Sequence, residues 1–194
     1  VTTQECKAMN LVFSVVVLFQ LFSQGLSAPE IGAGREAAKK IIAEMQKVPL
    51  LRIWELSSQL AGLGEEAITI TEDNLLTGST KVKLGCAYAL FALGEPEEAE
   101  KVLREIAQSE EKREYRIAAL RLLRQSLEEE LVPALKKIAR EDPDPIIRIE
   151  AARTLWDVAE DTEAPKLLQR FLESDDRALR TEAALALGEI GYVE

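Results

Sequence analysis

Four basic residues, Arg104, Lys136, Lys137 and Arg170, are the side chains whose types and spacing could act on a partner. Arg104 falls in register with Lys136, 32 residues on, and Lys137 with Arg170, 33 residues on. They read as a broken positive stripe over the last turns of successive helices, facing the inner surface of an array. A stripe of this kind can hold a protein or peptide by charge, although pairing with the helix dipole and simple solvation use the same residue types at the same places. Other chemistry is scarce. The sequence contains no histidine, which excludes H-E-x-x-H zinc sites, Ser-His-Asp triads and Cys-His dyads. Acidic residues gather where helices should begin, at Glu95, Glu97 and Glu98, at Glu128 to Glu130, and at Asp161 and Glu163. Compensation of the helix dipole accounts for them more simply than an acidic partner-binding stripe or a cation site does. Gly78-Ser79-Thr80-Lys81 lacks the spacing of a phosphate loop and reads as a turn with a cap. No catalytic residue, metal ligand or cofactor-binding residue is assigned.

Charge and composition narrow the class further. The 194 residues carry a formal charge of −10, which repels nucleic-acid backbones and anionic membrane surfaces. With 47% apolar but only 5% aromatic residues, the chain can bury a sizeable core and suits packed helices better than sheets. Cys6 and Cys86 give no disulfide framework, since Cys6 lies upstream of a cleavage site and Cys86 reads as a small buried packer inside a helix.

Residues 1–28 form a signal peptide or N-terminal hydrophobic segment. The apolar run from Leu11 to Phe22 is followed by the small and polar stretch Ser23 to Pro29, with cleavage expected before Ala28. Residues 1–8 read as an upstream extension. Export to the periplasm or the extracellular space follows, with an uncleaved membrane anchor as the alternative. Residues 29–50 comprise a linker and a capping helix, Arg35 to Lys47, that closes the open end of a stack.

From residue 51 to 194 one unit recurs. Asp144-Pro145 caps an amphipathic helix, because the Asp carboxylate can accept from the free N–H groups of the first turn and Pro lacks the donor that would be orphaned there. Asp161 to Leu172 forms the returning helix. The unit reappears from Asp176, 32 residues later. The small pairs Cys86-Ala87, Ala118-Ala119, Ala151-Ala152 and Ala183-Ala184 repeat at intervals of 32, 33 and 32 residues. Leu103, Leu135 and Leu168 correspond in the second helices, as do Ile106, Ile138 and Phe171. A fixed period of this size predicts an all-α, right-handed solenoid of stacked hairpins. Glycines punctuate it at Gly64 and Gly94. The segment Glu65 to Leu76 carries the β-branched run Ile68-Thr69-Ile70-Thr71 and is expected to be short, distorted or frayed.

The strings Glu130-Leu131-Val132-Pro133-Ala134-Leu135, Asp144-Pro145-x-x-Arg148 and Ala183-Ala184-Leu185-Ala186-Leu187-Gly188-Glu189-Ile190-Gly191 resemble HEAT repeats of the short bacterial type also found in phycobilin lyases. The resemblance implies an α-solenoid that serves as a binding scaffold. Histidine's absence argues against the iron-dependent hydroxylases built on such repeats. The leading reading is a non-enzymatic scaffold for a protein or peptide, bound along the second-helix face outside the cytoplasm. A lyase-like protein handling bilin chromophores is the alternative. Four structural expectations go with it. Ala151 and Ala184 should be buried between successive helices, and Trp54 and Trp156 should pack in the core or between repeats. Arg148 and Arg180 should form a repeat-to-repeat ladder with Asp144 and Asp176. Leu185 and Leu187 should lack cover, so a C-terminally truncated array continuing beyond Glu194 is expected.

Overall fold

Asp144 caps as its place ahead of Pro145 predicts, its Oδ1 accepting from the Ile146 N–H at 3.0 Å, and Asp176 does the same for Ala178 at 2.7 Å. These caps open two of the ten α-helices found in a computed structural model of the chain, which describes residues 33–109, 111–126 and 129–191. The apolar N-terminal run, the expected cleavage site and residues 192–194 lie outside the described residues. The helices are α1 (Ala33–Met45), α2 (Leu50–Ala61), α3 (Glu65–Thr77), α4 (Thr80–Leu93), α5 (Glu97–Gln108), α6 (Arg113–Leu123), α7 (Val132–Glu141), α8 (Pro145–Ala159), α9 (Glu163–Leu172) and α10 (Arg177–Glu189). A 3-10 turn, Glu129–Leu131, leads into α7. Among the described residues there is no strand, and no helix is long and apolar enough to cross a membrane.

The helices form an α-solenoid in two layers. First helices α2, α4, α6, α8 and α10 pack each on the next. Each second helix packs on the first helix that follows it, α1 on α2, α3 on α4, α5 on α6, α7 on α8, α9 on α10, and for α3, α5, α7 and α9 this is the most extensive contact. Within some hairpins the two helices barely approach, as for α2 with α3 and α6 with α7. Helix α1 thus takes the place of a second helix, lying on both α2 and α3. Leu103, Leu135 and Leu168 are fully or almost fully buried, each contributing roughly 1.5–3 kcal/mol of transfer free energy.

Close approach in the first layer depends on small side chains. Cys86, Ala87, Ala119, Ala151, Ala152 and Ala183 have no accessible surface. At Gly85 an added Cβ would come within 2.9 Å of Ile53 Cγ2 and 3.0 Å of Met45 Sδ, so α4 could not sit as tightly on its neighbours with any larger residue. Helix α4 stops at Gly94, whose φ of +83° turns the chain so that Glu95 N–H donates to the Leu90 carbonyl at 2.9 Å. Trp54 stacks obliquely on Tyr88, with ring centroids 5.9 Å apart, joining α2 to α4. Trp156 is half-buried against the core.

Several expectations are corrected. Segment Glu65–Thr77 is a regular thirteen-residue helix. Its polar side chains bond inside the helix, Thr71 Oγ1 donating to the Ala67 carbonyl at 2.7 Å and Asn74 to that of Ile70 at 2.8 Å. Burial of Ala67, Ile70 and Leu75 then outweighs the weak propensity of the β-branched run. Ser79 stands at the N-cap of α4 without a capping bond, while Thr80 turns its hydroxyl to Glu111. Ala184 is exposed. It shares with Leu185, 56% exposed, the face of α10 that no described element covers, whereas Leu187 lies buried on the side turned to α8 and α9.

The Arg148 and Arg180 ladder does not form. Arg180 Nη1 donates to the carbonyls of Ser174 and Asp175 at 2.7 and 2.9 Å, closing the loop before its own helix. Arg148 lies over the Phe171 ring, 5.2 Å from its centroid. The inter-repeat partner of Asp144 is instead Arg113, at the start of α6.

Candidate partner-binding surfaces

Second helices turn Leu135, Ile138 and Ala139 of α7, and their counterparts in α5 and α9, toward the first layer. The residues between them therefore face away, and the predicted stripe lies among these. Its four members have different surroundings. Lys136 is ion-paired with Asp161 at 2.7 Å, and that hydrogen bond holds the Asp161 carboxyl below its ordinary range. Arg140 grips Glu163 with two nitrogens, Nε at 2.7 Å, and lowers that carboxyl likewise. Both pairs tie α7 to the start of α9. Lys137 and Arg170 are exposed and have no ion pair among the described residues. Arg104 is half-buried in an open cleft of about 220 Å³, together with Glu97, Glu100, Lys101, Glu130 and Leu131. The structure thus spreads the stripe over α5, α7 and α9, with Lys136 engaged and Lys137 and Arg170 presented to solvent.

The first layer carries a charge cluster that sequence reasoning missed. Glu150 of α8 is buried and lies 3.3 Å from Arg121 Nε and 3.4 Å from Arg153 Nη1. Arg124 pairs with Asp157, and its Nη1 also comes within 3.9 Å of Glu189 Oε2. Glu189, half exposed at the end of α10, is ion-paired with Arg153. Helices α6 and α10 are separated by α8, so a contact between Arg124 and Glu189 means that the C-terminal ends of the three first helices converge. The Arg153 side chain is only 8% exposed, and its Nε is buried without a hydrogen-bond partner. Burial draws its guanidinium below the usual arginine range; Glu150 opposes this, and Arg124 and Arg121 add to it. A signal was present: Arg124, Asp157 and Glu189 recur at the same 33- and 32-residue spacings as the small pairs.

Arg116 was also missed. Its Nε and Nη2 donate to the Ala107 carbonyl at 2.9 and 2.8 Å, and it pairs with Asp142 in the α7–α8 loop, both side chains being nearly buried. One side chain therefore joins three elements. Cys86 is enclosed, and burial pushes its thiol up to about 12, as suits a packing residue.

A family model for HEAT repeats matches residues 70–156 and 132–194. No curated protein and no solved structure matches the chain.

Proposed function

We propose, from the premise that this chain belongs to the HEAT-repeat family, that it is a non-enzymatic scaffold for a protein or peptide partner outside the cytoplasm. The observation that carries the reading is the pair Lys137 and Arg170, exposed on neighbouring second helices and without ion pairs among the described residues, in a chain whose formal charge is −10. HEAT repeats generally serve as protein-interaction scaffolds, and a solenoid offers an extended face on which charge, rather than a catalytic group, selects the partner. Arg104 and Lys136 extend the same surface, Lys136 with its charge already shared with Asp161. The absence of histidine from the sequence removes histidine-based triads, dyads and zinc motifs, in keeping with a binding role. The apolar run Leu11 to Phe22 supports export.

Crosslinking in the native host tests the reading. Partners captured by the parent chain should be lost from Lys137→Glu/Arg170→Glu, while the melting temperature stays unchanged. Equal capture by both would remove the second-helix face from consideration. Export is checked by sequencing the N-terminus of the mature protein, which should begin near Ala28. The competing bilin-handling reading rests on repeat similarity alone. It predicts visible absorbance in the purified protein, where a scaffold shows none.

A further inference from the structure

We propose that Arg121, Arg124 and Arg153 form a docking site for a carboxylate side chain from an acidic peptide segment of a partner, and that Glu189 occupies this site in the free chain. The site belongs to the first-helix layer and is independent of Lys137 and Arg170.

Packing alone does not call for a guanidinium here. Arg153 stands in register with Leu120 and Leu185, so the repeat accommodates leucine at this place. Replacing buried charge with well-packed apolar groups is commonly neutral or stabilising. Arg153 is nevertheless more than nine-tenths buried, with its Nε lacking a partner, so donor capacity is left over inside the cluster. Arg121 holds Glu150 only at 3.3 and 3.5 Å, and Arg124 Nη1 stands 3.9 Å from Glu189. Both can shorten onto a better-placed acceptor.

Of the three carboxylates, Glu150 and Asp157 are fixed on α8 between these arginines. Glu189 comes from the last turn of α10 and remains half exposed. With Glu189 present the cluster holds three cations and three anions, and without it one positive charge is uncompensated. A carboxylate restores the balance, and the arginine fork matches its two oxygens. The occupant already in place is a single carboxylate side chain, which favours an acidic peptide over a phosphate. The negative charge of the whole chain opposes approach, but at about 0.15 M salt it is screened beyond roughly 8 Å.

The test is fluorescence anisotropy of a labelled hexaglutamate peptide with the full chain at about 0.15 M salt. Glu189→Gln, by removing the internal competitor, should bind about tenfold more tightly than the parent, the scale of one charge-assisted hydrogen bond. Adding Arg124→Gln should cancel the gain. So should Arg121→Gln, the replacement of an exposed side chain that leaves Glu150 paired with Arg153. Lys137→Glu/Arg170→Glu should leave the gain in place. The proposal is overturned if Glu189→Gln binds no more tightly, if the gain survives both arginine changes, or if it depends on Lys137 and Arg170. It is equally overturned if inorganic phosphate, and not the peptide, gains from Glu189→Gln.

Discussion

First helices α6, α8 and α10 lie each directly against the next, with Ala119, Ala151, Ala152 and Ala183 fully buried, close enough for Thr154 Oγ1 to donate to the Leu120 carbonyl of the adjacent helix at 3.1 Å. Second helices α7 and α9 rest mainly on the first helices beside them, and the side chains joining them are ion pairs such as Lys136 with Asp161. Where backbones approach closely, water leaves, and charges that remain, such as Arg116 and Arg153, must find partners inside. Where helices stand apart, charges stay hydrated and their pairing contributes little. The first layer therefore carries cohesion, and the second can vary its outward residues without affecting the stack.

The sharpest way to break this contrast is Arg116→Ala. It leaves Asp142 buried without its partner and the Ala107 carbonyl without its donor, and should destabilise the chain by about 3–5 kcal/mol in urea unfolding. A loss under 1 kcal/mol would mean that the first layer does not depend on its buried charge. Ala151→Leu should overpack the α6–α8 approach by about 1–3 kcal/mol, seen as a lower melting temperature. Asp144→Ala, which removes the α8 cap and the partner of Arg113, should cost about 1 kcal/mol.

Lys136→Met probes the second layer and should cost at most about 1 kcal/mol at neutral pH. The Asp161 pKa is lowered in the folded chain, so the pair's contribution is present above the unfolded carboxylate value and is lost as pH falls through the folded one. Parent and variant should therefore converge in stability as the solution is acidified below about pH 4. A gap that persists there would mean that Lys136 acts by packing. Smallest of all, Lys137→Ala should change stability by less than about 0.5 kcal/mol.

Much of the first layer was legible in the sequence because its determinants are local or periodic. Asp144 and Asp176 announce caps, Gly94 announces a left-handed stop, and the small pairs give the repeat length. What escaped notice were contacts made by long side chains across helices. Arg148 and Arg180 have the same spacing from an aspartate, yet one lies on Phe171 and the other on loop carbonyls, because local spacing says nothing about which neighbour is nearer. Segment 65–77 was misjudged since propensity counts the β-branched run but not the cover supplied by α1 and α4. In the second layer, register placed Lys136 and Lys137 on successive positions of one helix. Only the structure shows that a carboxylate from the next hairpin reaches the first and not the second.

The scant contact between α6 and α7 gives the array a tensile weak point. Each second helix leans on the following first helix, and two hairpins, α2 with α3 and α6 with α7, are loosely closed, so the joints of the chain fall within these hairpins rather than between successive ones. At the joint after α6, continuity across the gap rests on the seam of α6 with α8 and on charge stitches from Arg113, Arg116, Arg121 and Arg124 to the segment beyond. Stretched from its ends, such a spring should yield first where α6 parts from α7. Its yield force should fall as salt screens the exposed stitches of Arg113 and Arg121, while the enclosed Arg116 pair keeps its grip.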